Sequence, residues 1–235
     1  VTAVTLLRDA ADAAARAPMP KVTDNQYMYI ETEIAAGSPY GKPAPSKPYR
    51  TQVWSPAADK CKDGLRVTNG KRLRILGNSS DLAANGIHLD CPLLGWLNDP
   101  TYRLLQTLPT DPHALLDMIY KQTAGKGNSP DQEAFTTIGD LLRDSIAPPE
   151  VSAALFRAAA LIPGVTLVPN AVDAIGRAGV AVSFTYGPDQ LEWIFNKQTH
   201  QMLGEVDVYK GTLTETTAII SRAIVDHLGQ VPKTG

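Results

Sequence analysis

Four histidines, two cysteines and a few carboxylate pairs are the residues of this chain whose types could do chemistry. His88, His113, His200 and His227 fall in predicted loops, a helix first turn or a strand end, where surface and capping roles are the ordinary reading. No GxSxG elbow, HExxH, P-loop, GxGxxG or CxxC pattern accompanies them. For a hydrolase with an unrecognised site, His88, Asp90 and His113 are the first suspects. Glu31 with Glu33 and Glu205 with Asp207 are each two apart, so on a strand each pair shares one face. That face is expected to be wet, which makes the pairs solvated surface rather than acid/base couples. Asp140 and Asp144 beside Arg143 read as ordinary patterning on a helix surface. No catalytic residue, metal site or cofactor is assigned.

Cys61 and Cys91 lie thirty positions apart, and neither has the close partner that metal ligands usually have. One structural disulfide is the favoured reading, and two free buried thiols are the alternative. Closing a loop of that size would stabilise the fold by roughly 3–4 kcal/mol. A disulfide implies an oxidising compartment outside the cytoplasm.

The elements that must position these residues are easier to read. Residues 1–17 form a helix with Val4, Leu7, Ala11 and Ala14 as its stripe, stopped by Pro18 and Pro20. Strands occupy 27–76, with Met28, Ile30, Thr32 and Ile34 on one face and Tyr27, Tyr29, Glu31 and Glu33 on the other. Residues 37–48, rich in proline, form a surface loop, and 77–99 are irregular. Helices fill 100–162, one of them capped by Thr110 or Asp111 with Pro112 in its first turn. A strand meander closes the chain over 165–226. It includes short strands at 165–168 and 171–174, then 179–186, 191–196, 202–209 and 216–226. In it Val180, Val182, Phe184 and Tyr186, then Leu191, Trp193 and Phe195, repeat on every second residue, which predicts one buried and one wet face.

These elements predict an α+β fold, a curved, half-barrel-like antiparallel sheet covered on one face by helices inserted mid-chain. Residues 1–235 are expected to form a single domain, its N-terminal strands joining the C-terminal meander. Trp54, Phe184, Trp193 and Phe195 all fall on strands. They either line an apolar pocket between sheet and helices or simply fill the core, because both need the same alternation.

The net charge of −2 and pI of about 6.1 argue against a nucleic-acid surface. No apolar run approaches the roughly twenty residues of a membrane span.

A set of ordered motifs carries a resemblance. Leu108-Pro109-Thr110-Asp111-Pro112, the run 134–143, the run 148–160 with Ile162-Pro163-Gly164-Val165, and Glu192-Trp193-Ile194-Phe195-Asn196 with Leu203-Gly204-Glu205 keep their order and spacing. Together they resemble an uncharacterised family of actinobacterial single-pass membrane proteins often encoded beside an extracytoplasmic-function sigma factor. Asn196 departs from the family's pattern, where Asp follows the Trp-Ile-Phe run; a turn-capping role survives that change. The resemblance implies an extracytoplasmic domain, anchored by a transmembrane helix upstream of Val1. The order of elements is also similar to the lipoprotein-carrier superfamily of LolA and RseB. The expected function is a non-enzymatic sensor or binding domain for a lipid, a hydrophobic small molecule or a membrane-protein partner. Lipid or lipoprotein carriage is the alternative, then the hydrolase, then a scaffold that packs on a neighbouring membrane protein through the 37–48 loop.

Overall fold

The computed structural model describes residues 2–19, 21–37, 47–75 and 95–233. Nine strands form one antiparallel sheet. They are β1 (Tyr27–Ala36), β2 (Tyr49–Pro56), β3 (Gly64–Thr68), β4 (Lys71–Ile75), β7 (Thr166–Val172), β8 (Ala178–Tyr186), β9 (Asp189–Phe195), β10 (Met202–Tyr209) and β11 (Thr212–Val225), in the order β4-β3-β2-β1-β11-β10-β9-β8-β7. A separate two-residue hairpin pairs β5 (Gly95–Trp96) with β6 (Asp99–Pro100). The β1–β11 ladder joins the N-terminal strands to the C-terminal meander. The fold is therefore the expected α+β, a curved antiparallel sheet with its helices on one face.

The helices are α1 (Ala3–Ala15), α2 (Tyr102–Leu105), α3 (Pro112–Gln122), α4 (Pro130–Asp144) and α5 (Pro149–Ala159). Their starts are written in the sequence. Thr2, Thr101, Asp111 and Ser129 each accept a backbone N–H of the first turn, and Pro112, Pro130 and Pro149 open their helices. No described helix is long and apolar enough to cross a membrane.

The stripe of α1 is rotated from the expected one. Ala3, Leu6, Leu7, Ala10 and Ala11 are buried while Val4 is exposed, because α1 lies along α5, where Arg157 pairs with Asp12 at 2.9 Å. The two short strands expected at 165–168 and 171–174 are one strand, β7, with a register break between Val168 and Ala171. Pro169 lies in that break, at the sheet edge where its missing N–H costs no ladder bond. β11 begins at Thr212 rather than Thr216, because Lys210 and Gly211 take positive φ (50° and 76°) and turn the hairpin there.

The main core lies between the helices and strands β8 and β9. Phe135 of α4 stacks on Trp193 at 3.9 Å between ring centroids and on Phe184 at 5.7 Å. Phe156 of α5 meets Phe195 edge-on at 5.7 Å. Gly139 makes the first contact possible: a Cβ there would meet the Trp193 indole nitrogen at 2.5 Å.

The expectation of a wholly wet second face is corrected. The outer face carries two apolar clusters, Ala171-Ala181-Ile194-Leu203-Val206 and Tyr29-Trp54-Leu65-Val225. The C-terminal segment reaches the second cluster, where Trp54 Nε1 donates to the Gln230 carbonyl at 2.6 Å.

Candidate functional site

Of the four aromatic candidates, the structure brings Phe184, Trp193 and Phe195 together and sets Trp54 apart. Trp193 and Phe195 are fully buried in the main core, and Phe184 edges a smaller cleft. Trp54 projects from the opposite face, because it pairs with Tyr29 in the ladder and tilts against that ring at 5.0 Å. The four cannot line one pocket. His113 is exposed on the first turn of α3, whereas His88, Asp90 and Cys91 lie outside the described residues. Cys61 is half-buried, and no free thiol occurs among the described residues. Asn196 caps its turn, accepting the N–H groups of Gln198 at 2.8 Å and Thr199 at 2.9 Å.

One concavity is lined by none of the four aromatic candidates. A hollow of about 710 Å³ opens over the helix-side face of β1–β4. Ile30, Ile34, Tyr49, Val53 and Ile75 supply an apolar floor, with Thr32, Thr51 and Thr68 between them. The β5–β6 hairpin forms one wall and brings in Trp96, a large exposed aromatic at 63% exposure. The C-terminal end of α4 forms another wall through Asp140, Arg143 and Asp144. A second cleft of about 400 Å³ lies on the far side of Arg143, between α4 and β8–β11. Asp140, Arg143 and Glu215 line both.

Arg143 is the hub of that divide. It reaches Asp144 at 2.6 Å, Asp140 at 2.8 Å and, across to β10, Glu205. Glu205 is 5% exposed, so the expectation that it sits on a wet face is corrected. A bulge explains this. Between Met202 and Gly204 the β10 register slips by one, and Glu205 comes to lie opposite Trp193 on the helix side. A Cβ at Gly204 would meet the Thr217 carbonyl at 2.0 Å, so the bulge needs glycine there. Glu205 N–H then donates to Thr217 Oγ1 at 3.0 Å.

Burial dominates the electrostatics here. It pushes the Glu205 carboxyl up to about 8, against the pull of Arg143 and with help from Asp207, Asp140 and Asp144. It likewise pushes Asp207 up to about 6, with Glu215 adding. Burial also works against the Arg143 charge, but Glu205, Asp144 and Asp140 outweigh it and hold the guanidinium above its ordinary range.

Glu31 is a second buried carboxylate, also corrected from the wet face. It accepts from Tyr29 Oη and pairs with Arg50 at 2.5 Å on the outer face, and Gln52 donates to Tyr29 at 2.7 Å. Burial and the Glu31 hydrogen bond raise the Tyr29 hydroxyl to about 12. This network lies on the face opposite the hollow. No group of three or more His, Cys, Asp or Glu placed to hold a metal occurs among the described residues.

No family model and no curated protein matches this chain. Among solved structures it is similar to the Pseudomonas aeruginosa MucA/MucB complex, at 13% identity and a TM-score of 0.33 over 98% of this chain and 58% of that one. It is similar at the same score to MucB alone, at 11% identity over 98% and 60% of the two chains. Likeness at that score assigns no function, and this chain spans only about three-fifths of the length of those chains.

Proposed function

We propose that this chain is a single, non-enzymatic extracytoplasmic binding or sensor domain whose hollow holds an amphipathic ligand. The observation that carries this reading is the lining of the 710 Å³ concavity, an apolar floor on β1–β4 facing charged groups on α4. A cavity of that size falls in the range of small-molecule and cofactor sites. Its mixed walls suit a molecule with an apolar body and a polar end, and a purely apolar ligand would leave Arg143, Asp140 and Asp144 desolvated against it.

The extracytoplasmic part of the reading rests on a Cys61–Cys91 disulfide and on the family resemblance, which also supplies the membrane anchor upstream of Val1. Intact mass after thiol alkylation without reductant tests the first. An unshifted mass supports the disulfide, and two added labels remove the compartment argument.

Trp96 offers a direct test of the ligand reading. Trp54 and Trp193 are buried while Trp96 lines the hollow, so Trp96 is the tryptophan a ligand there would touch. A single-chain amphiphile brominated on its acyl chain, held below its micelle concentration, should quench part of the fluorescence. The Trp96→Phe variant should lose that quenching. Quenching that persists in Trp96→Phe, or none in the parent, contradicts the reading.

A further inference from the structure

One row of the sheet sets Arg66 on the floor of the hollow and Arg222 on the same face of the sheet, one strand beyond the floor residue Ile30. Arg66 of β3 lies opposite Val53 of β2, Val53 lies opposite Ile30 of β1, and Ile30 lies opposite Arg222 of β11. Residues directly opposite in a ladder point to the same side, and Ile30, Val53 and Arg66 all line the hollow. The two arginines therefore flank two apolar side chains across three strand spacings, roughly 14 Å along a flat sheet. A concave sheet brings their tips closer.

Among the described residues neither guanidinium has a hydrogen bond or ion pair, as is also true of Arg8, Arg16 and Arg72, whereas Arg143 on the wall of the hollow is paired. Arg222 is open to solvent, yet loss of hydration pushes it down to about 10. The two facts fit a side chain beside the hollow, reachable by water and close to the α4 charges that wall it. The charges that reach it are Asp144, which favours its charge, and Arg143, which opposes it; those two already pair with each other. Folding gains nothing from an unpaired, partly dehydrated Arg222 guanidinium beside an apolar floor. Such a group is prepared for an anion that arrives from outside.

We infer that the hollow is specific for anionic amphiphiles, with Arg222 beside it holding a phosphate or carboxylate head, Arg66 on its floor adding positive charge, and Ile30, Val53 and Trp96 taking the chain. This rests on the ligand reading above and adds the charge of the ligand and the residues that select it.

The test compares dodecyl phosphate, dodecyl maltoside, dodecyltrimethylammonium and inorganic phosphate on the purified chain, each below any micelle concentration, by isothermal titration calorimetry. Dodecyl phosphate should bind one to one, and at least about tenfold tighter than the neutral and cationic probes. Arg222→Gln should erase most of that preference while leaving dodecyl maltoside binding unchanged, and Arg222→Lys should restore part of it. Matching melting temperatures would show that the variants fold. Equal affinity for all three heads, or a preference for the cation, overturns this inference alone. Inorganic phosphate binding as tightly as dodecyl phosphate also overturns it, because the chain would then contribute nothing. Binding of no amphiphile overturns it together with the ligand reading.

Discussion

Glu205→Gln should make this protein more stable at pH 8 and change it little at pH 5. The buried Glu205 carboxyl rises from an ordinary 4.5 to about 8, so between those values the folded state holds a proton that the unfolded chain has released. A carboxyl raised in this way contributes stability that is present below its unfolded value and is lost as pH rises through the folded one. At about 1.36 kcal/mol per pH unit, the full window is worth at most roughly 4–5 kcal/mol. Asp207, raised from 3.8 to about 6, adds a smaller loss of the same sign at lower pH. Glutamine is isosteric with the protonated acid and keeps a neutral group facing Arg143. The variant should therefore escape the Glu205 part of the loss, gaining on the order of 2–4 kcal/mol over the parent at pH 8 and under about 1 kcal/mol at pH 5. Urea unfolding at pH 5, 6.5 and 8 measures this directly. If the parent is more stable at pH 8 than at pH 5, and Glu205→Gln destabilises it at pH 8, then Arg143 holds Glu205 ionised and burial is not the larger effect.

Three other perturbations follow from the same seams. Arg143→Met leaves Glu205, Asp140 and Asp144 without their shared cation; unfolding curves should show a loss of about 3–5 kcal/mol at pH 8 that shrinks towards pH 5. Gly139→Ala would normally help a helix by about 1 kcal/mol. Here its methyl meets the Trp193 ring, so overpacking of about 1–3 kcal/mol should win and lower the melting temperature. Phe135→Ala removes the ring stacked on Trp193 and should cost about 3–5 kcal/mol, with a changed near-ultraviolet dichroism from Trp193; an unaltered spectrum would count against the stacking.

The architecture was legible in the sequence because alternation and caps are local signals. Asp111 with Pro112 starts a helix whatever surrounds it, and Phe184, Trp193 and Phe195 fall on the face their period assigns. What failed was parity. The slip at Gly204 turns Glu205 inward, and no count of every second residue reveals a bulge. A glycine inside a strand run was the one available hint. The hollow was missed for a different reason. Its floor residues Ile30, Val53 and Arg66 are far apart in sequence and become neighbours only through ladder register. Large aromatics drew attention to Trp193 and Phe195, which are fully enclosed in the core, and to Trp54, which lies on the other face. Trp96, the tryptophan at the hollow, sits in a two-residue strand with no periodic signal at all.

The most direct measurement of whether the hollow holds a ligand is native mass spectrometry of the chain and of a Val53→Trp variant, each incubated with a bacterial lipid extract. Val53 lies on the hollow's floor, and an indole there occupies the space a chain would need. The parent should retain one adduct in the lipid mass range, and Val53→Trp should lose it while remaining folded by circular dichroism. A parent that stays at its bare mass, or an adduct that survives in Val53→Trp, would contradict the account.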